Sequence, residues 1–480
     1  RYLANGLDLL ARDEDDKTFK FVFIDYKSLG VRQLGSIYEG LLEFKLRIAR
    51  EKLAVVKGKK TEEVVPYDEA VKNKLRILTD RKDGTKTERL IAKGKLYLEN
   101  DKRERKATGS YYTPDYIVKY LVENTVGPVL KEKFDQLAPE FRKAQHAYRD
   151  ALKRRDAFIK QKMKPDDPEK VANTYAHVVE KLFDIKVLDP AMGSGHFLVE
   201  AADFISDRLI DFLNGFPWNP VNKMLDDTRK TILSEMEKQG VAIDGGRLTD
   251  VNLIKRHVLK RCIYGVDLNP MAVELAKVSL WLNCFTLGAP LSFLDHHLKC
   301  GNSLIGVGVE EVQEKLQSGQ MMLGGTEFTG LMLATDLMRH VGELSDVTAE
   351  QVRESRREYN KASDALAPYK SILDVYTSRW FGNDVRMTGT GKKRREVDPT
   401  IEFLQSSEAA QWLKKPRGTM LSGEWKKVAE ATMLAAGDKR FFHWELEFPE
   451  VFYEKGRKKE NGGFEAVVGN PPYYSIAEKS

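Results

Sequence analysis

Two short runs in this 480-residue chain stand out for their reactive or ligand-holding side chains. The first is Asp189-Pro-Ala-Met-Gly-Ser-Gly-His-Phe197, behind the apolar Ile185–Leu188 and ahead of a long apolar stretch. Gly193 and Gly195 lack a Cβ, so the backbone can bend sharply there and come close to a ligand. A buried strand, a glycine turn and a helix from near Ser194 to about Leu213 are expected. The second run is Asn470-Pro-Pro-Tyr473, at the end of the apolar Phe464–Val468. Asn470 offers a side-chain oxygen, and Pro471, having no N–H, offers a carbonyl on stiff backbone. Pro472 keeps the turn rigid, and Tyr473 presents a face on which a flat ring can stack. Two preorganised acceptors beside an aromatic face suit a planar amino group. Taken singly, each run also fits a ligand-free strand–helix corner or a strand-ending proline turn.

Together the two motifs resemble those of the S-adenosylmethionine-dependent DNA adenine-N6 methyltransferases. The resemblance is to the large restriction–modification enzymes, whose cofactor motif precedes the catalytic one. It implies an α/β fold, a Rossmann-like doubly wound methyltransferase sheet, with S-adenosylmethionine as cofactor and double-stranded DNA as substrate. Asn470, Pro471, Pro472 and Tyr473 would be catalytic, gripping the amine of a flipped adenine. Asp189, Ala191, Gly193, Gly195 and Phe197 would form the cofactor turn. The run Lys106–Pro114 is similar to the segment that closes over the methionine end, which brings in Thr108, Ser110, Tyr111 and Thr113. Asp267 ends a second expected strand, Cys262–Asp267, ahead of Leu268 and Asn269-Pro270. Its two carboxylate oxygens can accept both hydroxyls of a ribose; the competing role is a helix N-cap. Asn302, in an expected third strand His297–Ser303, stands where the family often has Asp, against the cofactor's adenine. Its amide can accept from the adenine amine and donate to a ring nitrogen. Motifs of this kind also occur in methyltransferases acting on RNA or protein glutamine, and an inactive DNA-binding fragment is a further alternative.

The elements that must position these residues divide as follows. Residues 1–100 read as mainly helical, with apolar residues of Leu34–Arg50 at helical spacing and a hairpin turn at Lys82–Thr85. Asp25, Glu43 and Lys45 match a metal-dependent nuclease pattern superficially, but Glu43 and Lys45 fall within that helical pattern. Residues 101–180 read as a cofactor lid, a helix from Asp115 to about Leu130 and a charged surface antiparallel pair. Residues 181–306 form the cofactor half of the sheet, with an insertion at 214–255. Residues 307–440 are too long for a loop and read as an inserted helical subdomain. Residues 441–480 hold the catalytic strand, preceded by aromatic Phe441–Tyr453, read as a strand or edge capping the core.

Net charge is +6, a small excess for this length that permits nucleic-acid binding without arguing for it. Basic clusters at Lys102–Lys106, Lys153–Arg155, Lys392–Arg395 and Arg457–Lys459 suit either a solvated surface or phosphate contact. Cys262, Cys284 and Cys300 are widely spaced, and the 8 histidines are scattered apart from His296-His297, so no metal site is expected. No apolar run can span a bilayer and no signal-peptide pattern opens the chain, so a cytoplasmic protein without membrane contact is expected. The chain starts at Arg1 and stops seven residues past Tyr473. A piece of a longer polypeptide is therefore expected, its sheet cut after the fourth strand. A target-recognition domain and a nuclease domain or subunit would lie outside it.

Overall fold

The computed structural model describes residues 12–14, 21–23, 33, 44–57, 62–82, 85–100, 113–161, 168–241, 246, 248–317, 328–389, 394–414 and 419–471. The chain falls into two units, residues 1–112 with 472–480 and residues 113–471.

The first unit corrects the expectation of a mainly helical region. Its described residues are mostly antiparallel strands, with one short helix, Tyr67–Lys72. Phe44–Ile48 pairs with Leu96–Asn100, and Leu53–Lys57 lies between Glu62–Pro66 and Leu90–Ile91. The apolar residues Phe44, Leu46 and Ile48 alternate, a period of two that a short window can confuse with helical spacing. Leu46 sits opposite Leu98, and Ile48 opposite Leu96. Lys45 therefore stands on a strand, so a helix is no argument against a nuclease arrangement. Asp25 and Glu43 lie outside the described residues. The turn at Lys82–Thr85 does join a hairpin, with Lys82 facing Thr85.

The second unit begins with helix α1 (Asp115–Lys160), one rod of 46 residues where a helix to about Leu130 and an antiparallel pair were expected. Pro128 and Pro139 lie inside it. Each removes a backbone hydrogen bond, yet the buried row Val118, Val122, Val126, Leu130, Leu137, Phe141 runs through both. Continuous packing holds the rod together: Phe134 stacks on Phe212 at 4.5 Å and Tyr148 on Trp218 at 3.9 Å. Helix α2 (Ala176–Phe183) leads into strand β1 (Val187–Asp189), then α3 (His196–Asn214). Helices α4 (Pro220–Lys238) and α5 (Asp250–Arg261) precede β2 (Ile263–Asp267), α6 (Pro270–Asn283) and β3 (Leu298–Cys300).

Helices α7 (Val309–Gln317), α8 (Phe328–Glu343), α9 (Ala349–Thr377), α10 (Pro399–Leu404), α11 (Ser407–Lys414) and α12 (Gly423–Lys439) follow. They share a core that includes Leu366, Leu373, Tyr376, Phe403 and Trp412, and a hairpin pairs Arg386–Thr388 with Arg395–Val397. The chain then returns as β4 (Ala466–Val467). The aromatic approach caps the core as expected, but apart from a bridge at Phe441 and a strand starting at Tyr453 it is mostly helical. It makes two short helices, Trp444–Glu447 and Pro449–Phe452, which bury Phe442, Phe448 and Val451 against Leu188, Tyr264 and Val266 of the sheet.

The four strands lie in the order β3-β2-β1-β4, all parallel. A parallel sheet covered by helices is the α/β arrangement.

Candidate functional site

Strand β1 has β2 on one side and β4 on the other. The chain leaves β1 towards β2 and comes back to β4 only after the long helical excursion. Strand order therefore reverses at β1, and it is beyond the carboxyl ends of the strands at such a point that open α/β sheets bind ligands. The two chemical motifs end these two strands. Val468 N–H donates to Leu188 C=O at 2.8 Å, which carries the pairing one residue past β4. A Cβ placed on Gly469 would come within 2.7 Å of Asp189 Oδ1. Only glycine lets the two motifs lie this close.

Asp189 is 1% exposed, and its Oδ1 accepts from Ala191 N–H at 3.0 Å. Burial pushes its carboxyl up to about 7; the Ala191 bond opposes this, and the nearby Asp267 carboxylate adds to it. Gly193 has φ +54°, and open space lies where its Cβ would be. Its N–H donates to Asp267 Oδ2 at 2.9 Å. Gly195, at φ +84°, is different: an added Cβ would meet Ala276 Cβ at 3.1 Å and Cα at 3.2 Å. It lets α3 start hard against α6 instead of admitting a ligand. Phe197 is buried within α3.

Asp267 Oδ1 accepts from Asn269 N–H at 2.7 Å, so its two oxygens tie the loops after β1 and β2 together. Each oxygen keeps a further lone-pair site for a ribose hydroxyl. Burial raises this carboxyl's pKa, and the bonds from Asn269 and Gly193 pull it down. The N-cap role falls to Asn269, whose Oδ1 accepts from Met271 N–H at 2.9 Å. Leu268 is half exposed beside them. Asn302 Oδ1 already accepts from Leu304 N–H at 3.1 Å. That oxygen keeps a second lone pair, and the NH₂ can donate.

Asn470 Nδ2 donates to Thr113 Oγ1 at 3.1 Å, and Thr113 is buried. This bond directs the amide oxygen of Asn470 away from Thr113. Thr113, expected at the cofactor's carboxylate, is thus bonded to Asn470. Pro471 follows directly. Thr108, Ser110, Tyr111, Pro472 and Tyr473 lie outside the described residues.

Reading by residue type missed Gly469, whose position just before Asn470 at a strand end was the available signal. It also missed Arg440, which no local pattern marks. Of the basic clusters, Lys153 and Arg155 pair with Asp150 and Asp156, and Lys458 pairs with Glu310 and Glu445. Those cations are partly neutralised within the chain. His296 and His297 are both buried.

Residues 166–287 match the N-6 DNA methylase family, and residues 261–480 match the Eco57I restriction-modification methylase family. The chain is similar to the DNA adenine-N6 methylases of restriction–modification systems. A putative type II restriction enzyme and methyltransferase of Methanocaldococcus jannaschii is 23% identical over 391 residues, 78% of this chain and 28% of the relative. The type II restriction enzyme and methyltransferase RM.Eco57I of Escherichia coli is 30% identical, over 31% of this chain and 14% of its own length. The adenine-specific methyltransferase PglX of Lacticaseibacillus casei is 35% identical over 24% of this chain and 9% of its own. The chain thus spans less than a third of each of these methylase relatives.

Proposed function

We propose that this chain carries the cofactor half and the catalytic hook of a DNA methyltransferase. The reaction moves a methyl group from S-adenosylmethionine to N6 of an adenine flipped out of duplex DNA. The close approach of Gly469 to Asp189 carries this reading, because donor and acceptor sites must share one crevice. The open space over Gly193 and the spare lone pairs of Asp267 fit a nucleoside cofactor. Asp189, Ala191 and Gly193 would seat its sulfonium end, with Asp267 on the ribose and Leu268 and Asn302 at the adenine. When bound, S-adenosylmethionine supplies a methyl group on a positively charged sulfur.

The residues of the hook do the remainder. An adenine amine is a poor nucleophile because its lone pair is delocalised into the ring. Asn470 Oδ1 and the Pro471 carbonyl accept its two N–H groups and draw the nitrogen towards tetrahedral geometry. Thr113 fixes the amide plane of Asn470, so little reorganisation is needed during the reaction. Tyr473 offers the stacking face. Flipping the base costs a few kcal/mol, which contacts to DNA outside this pocket must offset. A target-recognition domain and a nuclease domain or subunit are the partners this reading calls for. It also suits a cytoplasmic protein; among the described residues no helix is long and apolar enough to cross a membrane.

The test is labelled methyl transfer to duplex DNA by a polypeptide that contains this chain, with nucleosides analysed afterwards. N6-methyladenine should form, and Asn470→Ala should slow it by about 100-fold or more. Label appearing in RNA or in protein glutamine instead of DNA would overturn the substrate assignment. An Asn470→Ala variant as fast as the parent would overturn the hook.

A further inference from the structure

We propose that Arg440 is a positioning residue for the adenosine end of the cofactor site, through which the helical excursion sets cofactor affinity. The inference rests on the reading of Asp267, Leu268 and Asn302 as that site. Arg440 follows α12 directly and is far from the sheet in sequence. It has left-handed backbone, φ +53°, which an arginine adopts only when its surroundings hold it there.

Three bonds do the holding. Its Nη1 donates to Leu268 C=O at 3.0 Å and to Cys300 Sγ at 2.9 Å. Its own carbonyl accepts from Asn302 N–H at 2.8 Å. Leu268 follows β2 and Cys300 ends β3, where it lies opposite Asp267 in the ladder. One residue therefore ties the loop after β2, the end of β3 and the loop beyond it. The next residues extend the tie: Phe441 bridges in parallel to Asn302, and Phe442 N–H donates to Ile305 C=O at 2.7 Å.

A flat purine needs two walls at a fixed spacing. The ladder holds Cys300 against Asp267, and Arg440 adds the tie between Cys300 and the loop at Leu268, both bonds leaving its Nη1. Lysine keeps the charge but carries it on a more flexible stem.

The test uses calorimetric affinities of a polypeptide that contains this chain, as the parent, and of its Arg440→Ala, Arg440→Lys and Cys300→Ala variants, each with a melting curve. Two probes are used: S-adenosylhomocysteine, and 5′-methylthioadenosine, which lacks the amino-acid arm. Arg440→Ala should weaken both probes by the same factor, about tenfold; Arg440→Lys should recover part of it, and Cys300→Ala should lose less than threefold. A loss confined to S-adenosylhomocysteine would put Arg440 at the other end of the ligand, and unchanged affinities would remove it from the site; either overturns the proposal. If Arg440→Ala does not fold, the lysine variant decides alone: parent-like affinity for both probes overturns the proposal, and a shared loss supports it. If the parent binds neither probe, the cofactor reading itself fails, a result distinct from any effect of Arg440.

Discussion

At the level of single residues, the candidate site is built from small groups under tight constraint. Asp189 is a buried carboxyl with a folded pKa of about 7, above the usual 3.8. Such a group holds its proton more firmly folded than unfolded. Its contribution to stability is complete below about pH 4 and is lost as pH rises through 7. Asp189→Asn cannot ionise and still accepts from Ala191 N–H. In urea titrations from pH 4 to 8, the stability difference between the variant and the parent should move in the variant's favour by up to about 4 kcal/mol. A constant difference would show that Asp189 does not titrate in this window. Gly195→Ala should cost about 2 kcal/mol, from its positive φ and from crowding against Ala276. Adding Ala276→Gly should recover only the crowding part, which a double-mutant cycle of melting temperatures measures.

Elements are joined here by buried polar ties as well as by apolar packing. Lys260 on α5 pairs with Asp346 in the loop before α9, and both are fully buried. Asp346 Oδ2 also accepts from Phe293 N–H at 2.8 Å, and its Oδ1 from Ser355 Oγ at 2.6 Å. Arg256, one turn earlier on α5, bonds the carbonyls of Ser345, Pro290 and Asp346. This staple fixes the helical excursion to the sheet's own helix. Removing one partner strands the other without water, so Asp346→Ala should destabilise by about 3–5 kcal/mol. Lys260→Met should cost less, because Asp346 keeps its bonds from Phe293 and Ser355. Equal chemical-denaturation midpoints for the two variants would contradict this. Helix α1 shows the same scale from the apolar side. Its two internal prolines each remove a backbone hydrogen bond, but the aromatic contacts with Phe212 and Trp218 span the rod.

In the second unit, burial decides which groups can react. Cys262 and Cys284 are buried, and burial pushes both thiols up to about 12. Cys300 is exposed. Of the three cysteines, one should therefore react quickly with a thiol reagent at neutral pH, and all three after unfolding. Two fast thiols would show that the core around α5 or α6 opens in solution. Protection of Cys300 by S-adenosylhomocysteine would follow from its place beside Asp267. Strand order matters most at this scale, since β4 reaches β1 only after the whole helical excursion.

The local geometry of the candidate site was legible where neighbours set it. A glycine turn after a buried strand and a carboxylate closing the next strand depend on residues a few positions apart. The spacing of apolar residues also located the sheet strands to within about three residues. Long-range partners were not legible. The strands of the first unit were misread because period two and period 3.6 overlap in so short a window, and only pairing across the sheet separates them. Thr113 turned to Asn470, Gly195 to Ala276 and Arg440 to Leu268, each across a gap of tens to hundreds of residues. Such contacts depend on which surfaces meet when the layers pack, and local composition carries no record of that. The residue types thus settled which chemistry the chain could attempt, and packing alone decided which side chains would hold it in place.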